Sequence, residues 1–393
     1  MQQKYQKTIY ACFVGYIVQA IVNNFVPLLF LTFEKSYHIP LSQITMLITI
    51  NFGIQLLVDL LSAGFVDRIG YRVSVVLAHV FAAVGLVGLV LLPEIMPNAF
   101  AGLLIAVFIY ALGGGLIEVL ISPIVESCPT DNKEKAMSLL HSFYCWGHVG
   151  VVLVSTVFFG IFGIANWKIL ACIWALIPVI NAFVFAKTPI APLIEEGERG
   201  MTMLDLCKSK VFWVMMLMML CAGASEQAVS QWASTFAEKG LGVTKTIGDL
   251  AGPMTFAILM GSSRAFYGKF GHKIDLDRFM LGSSVLCIFS YLLIATSPVP
   301  FLSLVGCGIC GLSVGIMWPG TFSKASVALK NGGTAMFALL ALAGDLGCSG
   351  GPTLVGFVSS AAADNLKAGI LVAIAFPVVM AVEIILQRTK EKR

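Results

Sequence analysis

Charged residues are scarce in this chain. Asp, Glu, Lys and Arg make up only 12% of its 393 residues, whereas a typical soluble domain carries roughly 25%. Hydrophobic residues account for 58%, and the mean hydropathy is +0.91. Such a chain has too few polar side chains to cover a surface exposed to water, which excludes a soluble enzyme. The composition therefore predicts a protein that lies in a lipid bilayer.

Several sequence motifs of catalysis and energy conversion are also missing. The chain has no Gly-x4-Gly-Lys-Ser/Thr loop, so ATP is not expected to drive its activity. It has no nucleophile elbow, no His-Glu-x2-His pair and no paired CxxC motif. Cys307 and Cys310 have CxxC spacing, but they lie in an apolar segment and are interpreted as packing residues. We expect no enzyme activity, no cofactor and no metal.

Long hydrophobic runs make up most of the sequence. A membrane-spanning helix needs roughly 20 apolar residues, and breaks in hydropathy divide the chain into twelve candidate spans. These spans, numbered 1 to 12, cover residues 8–33, 41–66, 73–92, 100–125, 136–162, 169–186, 211–236, 247–267, 279–296, 301–322, 333–361 and 368–386.

The positive charges between these spans indicate an orientation. With both termini in the cytoplasm, 20 of the 25 Lys and Arg residues fall on the cytoplasmic side. Such an excess is typical of cytoplasmic loops. The sequence therefore predicts a multi-pass protein of the cytoplasmic (inner) membrane. The basic residues are interpreted as signals of topology, so no nucleic-acid partner is expected.

The longest connection between spans divides the chain into similar halves. We predict a six-helix bundle at 1–187, a cytoplasmic linker at 188–209 and a second six-helix bundle at 210–393. Three short patterns recur at offsets of 196 to 201 residues, which indicates duplication. They pair 67–72 with 268–273, 115–123 with 311–319, and 147–150 with 344–347.

A basic, glycine-containing loop follows the second span of each half. The first, Gly64-Phe-Val-Asp67-Arg68-Ile-Gly70-Tyr-Arg72, resembles a signature of the major facilitator superfamily, although Ala63 stands where that signature usually has Gly. The resemblance implies an all-α fold of two pseudo-symmetric six-helix bundles, with these loops as a conformational gate. The alternative is a plain membrane turn flanked by positive charges. The gating residues would be Asp67, Arg68, Gly70, Arg72, Gly268, Lys269, Gly271 and Lys273.

A narrower pattern resembles the fucose and hexose proton symporters. Span 4 reads Gly115-Leu-Ile-Glu118-Val-Leu-Ile-Ser122-Pro123, with Ser122 in place of that branch's Asn. Span 7 has the similar stretch Gly223-Ala-Ser-Glu226-Gln227. In span 1, Asn23 occupies the place of the acid that the branch usually carries.

Ionisable residues within the spans are candidate coupling sites. Burying such a group in a bilayer is costly, so it normally faces a cavity or a partner. A carboxyl group that faces a cavity can bind a proton from one side and release it to the other. The alternative is a structural acid that is hydrogen-bonded to a neighbouring helix. We predict proton coupling by Glu118 first, then Glu226 and Asp345, while Asp59, His141 and His148 also lie within spans.

Polar and aromatic residues share helix faces in spans 1, 5, 7 and 10. Amides, hydroxyls and aromatic rings suit a polyhydroxy solute, because they offer donors, acceptors and an apolar wall. The alternative is hydrogen bonding that only holds helices together. The predicted solute-binding residues are Gln19, Asn23, Asn24, His141, Tyr144, Gln227, Gln231, Trp232 and Trp318.

These patterns predict a secondary transporter that moves a small, sugar-like solute by alternating access. Proton symport is favoured, and sodium coupling stays open because buried carboxylates serve either ion. The expected partners are the solute and the lipid bilayer, and the chain is expected to act as a monomer. One alternative is a proton-driven exporter of drugs or amphipathic metabolites. Another is a membrane sensor or scaffold without transport.

Overall fold

The computed structural model describes residues 2–129, 133–190, 203–271, 274–329 and 333–391. Its regular structure within these ranges is helical, and they contain no strand. The chain divides into two compact units, Met1–Glu196 and Gly197–Arg393. The predicted limits of the two bundles and the linker stay predictions, and residues 191–202 of that linker lie outside the described residues.

The first unit contains seven α-helices in the parts described. They are α1 (Gln2–Asn24), α2 (Phe30–Tyr37), α3 (Leu41–Ile69), α4 (Tyr71–Ile95), α5 (Ala99–Ser127), α6 (Lys133–Phe162) and α7 (Trp167–Lys187). Predicted span 1 differs from one straight helix, because a 3-10 turn at Val26–Leu29 separates α1 from α2. Pro27 explains the break, since proline lacks an N–H group and its ring disturbs a continuing α-helix.

The second unit has shorter helical pieces. Its described α-helices are α8 (Met203–Lys208), α9 (Lys210–Ser230), α10 (Ala233–Thr235), α11 (Lys245–Asp249), α12 (Thr255–Phe270), α13 (Leu276–Thr296), α14 (Pro300–Val314), α15 (Met317–Ala328), α16 (Gly333–Ala361), α17 (Leu366–Ala373) and α18 (Ala375–Glu391). Two π-helical turns, Phe236–Gly240 and Leu250–Met254, follow α10 and α11. Predicted spans 7, 8, 10 and 12 are therefore interrupted helices. Pro319 and Pro377 lie just after the breaks in spans 10 and 12.

The outer faces of the helices are apolar. Along α4, the side chains of Val73, Leu77, Val80 and Val84 are all exposed and recur at helical spacing. An exposed apolar stripe of this length would be unfavourable in water and is suited to contact with lipid. The protein is accordingly an integral, multi-pass membrane protein.

Ten helical segments are long and apolar enough to cross a membrane, as judged over the described residues. Two predicted spans are not among them. Span 8 corresponds to α11, the following π-turn and α12, which carry Lys245, Asp249, Arg264 and Lys269. Span 11 corresponds to α16. The predicted total of twelve crossings stays a prediction.

Candidate functional site

Five polar side chains from three helices meet inside the first unit, and we call them the amide cluster. They are Gln19 and Asn23 on α1, Asn51 and Gln55 on α3, and Glu118 on α5. The four amides are buried, with Gln19 only 2% exposed, and Glu118 is half-buried. Three of these residues, Gln19, Asn23 and Glu118, are among the predicted site residues, whereas Asn51 and Gln55 are not.

Hydrogen bonds connect the amide cluster into one network. The Nε2 group of Gln19 donates both to Oε2 of Glu118, at 3.0 Å, and to Oε1 of Gln55, at 2.9 Å. The Nε2 group of Gln55 donates to Oδ1 of Asn23, at 2.8 Å, and to Oδ1 of Asn51, at 3.0 Å. Asn51 in turn donates to Asn23 across 3.2 Å. The carboxyl group is thus joined through Gln19 to amides on two other helices.

Glycine allows α5 to come this close. A Cβ atom at Gly114 would lie 3.2 Å from Oε1 of Gln19 and 3.2 Å from Cδ of Gln55. Such contacts are tighter than side chains normally accept, so a larger residue here would push the two amides away. The glycines that precede Glu118 therefore make room for its polar neighbours.

A second polar contact lies one helical turn from Glu118. The hydroxyl of Tyr16 on α1 and that of Ser122 on α5 are 2.9 Å apart. The ring of Tyr16 also lies 5.5 Å from that of His141, between centroids. His141 is exposed and Tyr144 is half-buried. Asn24 is directed elsewhere, because its amide donates to the carbonyl of Ala20 on its own helix.

In the second unit, Glu226 on α9 forms an ion pair with Arg264 on α12. The Nη2 atom of Arg264 lies 3.2 Å from Oε2 of Glu226. Arg264 is not among the predicted site residues, although it lies within predicted span 8. An arginine inside a predicted span is itself a signal of a functional partner, and this signal could have identified it.

Two amides on α9 extend this pair. Gln227 donates to Oε1 of Glu226 across 3.2 Å, and Gln231 donates to Oε1 of Gln227 across 2.9 Å. Trp232 is fully buried, and its indole N–H donates to the carbonyl of Pro352 on α16 at 2.9 Å. The structure therefore brings Glu226, Gln227 and Gln231 together, whereas the indole N–H of Trp232 is directed at α16.

The break between α14 and α15 helps to position Arg264. Pro319 has no N–H group, so the carbonyl of Gly315 lacks the donor that an uninterrupted helix would supply. The Nε atom of Arg264 donates to this carbonyl at 3.3 Å. The guanidinium group is thereby held by a backbone oxygen on one side and by a carboxylate on the other.

The remaining predicted site residues of this unit lie on α15 and α16. Trp318 is half-buried, and its ring lies directly against Gly344, the residue before Asp345. Asp345 is itself buried within the unit. Close packing of α16 on α9 is possible because Gly347 meets the backbone of Leu220.

The loop predicted to act as a gate contains a turn that requires glycine. Gly70 has φ of +91°, which L-residues with a side chain rarely adopt, and its N–H bonds to the carbonyl of Val66. Arg72 donates from Nη1 to the carbonyl of Ala186, which ties the loop to the end of α7. The predicted turn at Gly70 is therefore present. The side chains of Asp67 and Arg68 lie outside what the structure describes.

In the second unit's loop, Lys269 lies with its Nζ atom 5.3 Å from the ring centroid of Phe270. The N–H of Gly271 donates to the carbonyl of Tyr267, so this glycine closes α12. Lys273 is outside the described residues, and of Gly268 only its place in α12 is described. The gating role of both loops stays a prediction.

Comparison with known proteins identifies the family. The family model described as Major Facilitator Superfamily matches residues 11–352, whereas no curated protein sequence matches the chain. A bacterial homolog of the human lysosomal transporter Spinster, in an inward-facing and unoccupied conformation, is similar in structure, with a TM-score of 0.77, 13% identity, and coverage of 98% of this chain and 97% of that chain.

Two solved sugar transporters share the fold as well. The D-xylose–proton symporter has a TM-score of 0.78 at 13% identity, with 97% of each chain covered. The fucose:proton symporter of E. coli has a TM-score of 0.65 at 15% identity, with 98% of this chain and 99% of that chain covered. Identities this low show a common fold alone. The family match over nearly the whole sequence goes further, and the chain belongs to the major facilitator superfamily.

Proposed function

We propose that the protein is a secondary active transporter that moves a small, polar, sugar-like solute across the cytoplasmic membrane by proton symport. Both termini would lie in the cytoplasm, and the proton gradient would supply the energy. The two units would alternate access to a solute site near the middle of the membrane.

The amide cluster is the observation that carries this proposal. Polar side chains inside a membrane are expensive to bury, so a group of five is expected to serve a function. Amides and a carboxyl group are suited to a solute with many hydroxyls, because they supply both donors and acceptors. Two of the structural neighbours are described as sugar–proton symporters, which supports a solute of this class.

The partners of the two glutamates favour Glu118 as the main proton site. Glu118 accepts a hydrogen bond from the neutral amide of Gln19, whereas Glu226 is paired with the guanidinium group of Arg264. Protonating an acid in an ion pair leaves its cation without a counter-charge, which is unfavourable in a medium of low dielectric constant. The hydrogen bond from the neutral amide of Gln19 to Glu118 carries no such penalty.

The test is transport in proteoliposomes with an imposed pH gradient and a panel of labelled sugars that includes fucose and xylose. The wild-type protein is expected to accumulate a sugar against its concentration gradient. Glu118→Gln should lose this accumulation and retain exchange of the solute. Glu94→Gln is the matched control, since Glu94 is exposed at the end of α4 and bonds to Lys168. Full accumulation by Glu118→Gln would contradict the proposal.

A further inference from the structure

We propose that Arg264 is an anion-binding residue and that the transported solute carries a carboxylate group, as a sugar acid or hydroxy acid does. Glu226 would be the resident counter-ion that the solute's carboxylate replaces. The inference rests on the proposed transport function and names the substrate class more narrowly.

The geometry of Arg264 suits this role. One nitrogen, Nε, is fixed by the carbonyl of Gly315, and another, Nη2, contacts a carboxylate oxygen of Glu226. A guanidinium group presents its N–H donors in a rigid, planar fork that matches the two oxygens of a carboxylate. Because the backbone contact sets the plane of the fork, a second carboxylate could take the place of Glu226 without moving the arginine.

The Glu226–Arg264 pair is poorly explained as a stabilising contact alone. Two well-packed apolar residues often stabilise a protein as much as a buried ion pair does, because both charges must be desolvated. The pair is also not sealed, since the side chains of Arg264 and Glu226 remain 19% and 9% exposed. A partly accessible cation inside a helix of a membrane transporter is a reasonable place for an anionic solute to bind.

The amides beside the pair fit the rest of such a solute. Gln227 donates to the carboxylate of Glu226, and Gln231 donates to the amide oxygen of Gln227, so Gln231 is connected to the carboxylate through Gln227. When a solute's carboxylate replaces Glu226 at Arg264, the same amides can exchange their hydrogen bonds with hydroxyl groups of the solute. A carboxylate next to several hydroxyls is the chemical pattern of a sugar acid.

Charge balance links this exchange to a proton. If the solute's carboxylate pairs with Arg264, Glu226 loses its counter-ion, and a proton bound to its carboxylate restores neutrality. Anion and proton would then be carried together.

Other titratable groups near Glu226 come from the neighbouring helices. Tyr291 and Cys310 bond to the carbonyl of Ser225, next to Glu226, while Asp345 on α16 and Glu383 on α18 belong to helices packed against α9.

The experiment measures thermal stability of the purified full-length protein with sodium gluconate, sodium galacturonate, glucose and galactose as probes. A ligand that binds the folded state raises its melting temperature. The two acids are expected to stabilise the wild-type protein more than the neutral sugars do. Arg264→Gln should weaken the apparent affinity for the acids by about 10- to 100-fold, as expected for loss of a hydrogen bond to a charged group. Glu226→Gln should strengthen it, because the competing carboxylate is gone.

Two further variants keep the test decisive. The double variant Glu226→Gln/Arg264→Gln replaces the ion pair by two neutral amides, so it can fold where the single arginine variant does not. It should lose the response to acids. Arg278→Gln is the control, because Arg278 is exposed and pairs with Asp275 at the start of α13.

Failure of this inference can be told apart from failure of the proposed function. If neither acid shifts the melting temperature, or if the double variant responds like the wild type, the anion site is rejected. Uptake of a neutral sugar that depends on the pH gradient and on Glu118 would still support transport in that case. Tighter acid binding by Glu226→Gln together with its loss in the double variant would establish Arg264 as the anion site.

Discussion

The amide of Gln19 donates from one nitrogen to the carboxyl group of Glu118, at 3.0 Å, and to the amide of Gln55, at 2.9 Å. This single side chain therefore connects α1 with both α3 and α5. A change in the charge of Glu118 alters the acceptor that Gln19 faces, and so it alters the contact between helices that come from separate parts of the sequence.

The first prediction concerns this connection. Gln19→Leu has nearly the same volume but cannot hydrogen-bond to Glu118 or Gln55. Losing a typical hydrogen bond changes a free energy by about 1 kcal/mol, or roughly fivefold in rate or affinity. We expect solute uptake in proteoliposomes to fall by at least that factor. Gln6→Leu on the same helix is the control, because Gln6 is exposed and its amide donates to the hydroxyl of Tyr10 one helical turn away. Equal uptake by both variants would show that the connection is not needed.

The second prediction concerns the packing of α16 on α9. A Cβ atom at Gly347 would lie 2.0 Å from the carbonyl oxygen of Leu220, whereas one at Gly350 would meet nothing within 4 Å. Gly347→Ala must therefore force the helices apart, and overpacking of this kind typically costs about 1–3 kcal/mol. A clear drop in melting temperature is expected for Gly347→Ala but not for Gly350→Ala. The contact shown here would be refuted if the two variants melted together.

The third prediction is a dependence on pH at the start of α13. Asp275 accepts a hydrogen bond from the backbone N–H of Arg278, and this bond lowers the pKa of its carboxyl group below the ordinary value of 3.8. The pKa of Asp275 is lower in the folded protein than in the unfolded chain. Its charged form therefore stabilises the folded state above pH 3.8, and this stabilisation is lost as the pH falls through the folded-state pKa. Asp275→Ala should therefore lower the melting temperature at neutral pH, and the difference from wild type should shrink in acid. A difference that does not change with pH would contradict this assignment.

Much of the fold could be predicted from the sequence. Hydropathy alone indicates the helical segments, since apolar runs of this length are stable only when they bury their backbone groups in a helix within lipid. The interruption near Trp318 was not part of predicted span 10: Pro319 removes an N–H donor there, whereas Pro123 lies inside the continuous helix α5. The turn at Gly70, by contrast, follows from the sequence, since its backbone geometry favours glycine over other residues.

The site was predicted less completely than the fold, because its contacts join residues that are distant in the sequence. Asn51 and Gln55 were visible at helical spacing, but only the structure shows that they bond to Asn23 and Gln19. Arg264 was visible as a charge, but its pairing with Glu226 depends on how α9 and α12 both pack against α14. Trp232 was predicted to bind the solute, yet its indole N–H donates to the carbonyl of Pro352 on α16.

The sequence by itself determined that this chain lies in a membrane and where its apolar segments fall, because these properties depend on residues near one another in the chain. The tertiary structure alone decided which buried polar groups are partners. Hydrogen bonds and ion pairs form between side chains that meet in space, and their energies depend on distances of a few ångströms that no linear spacing records.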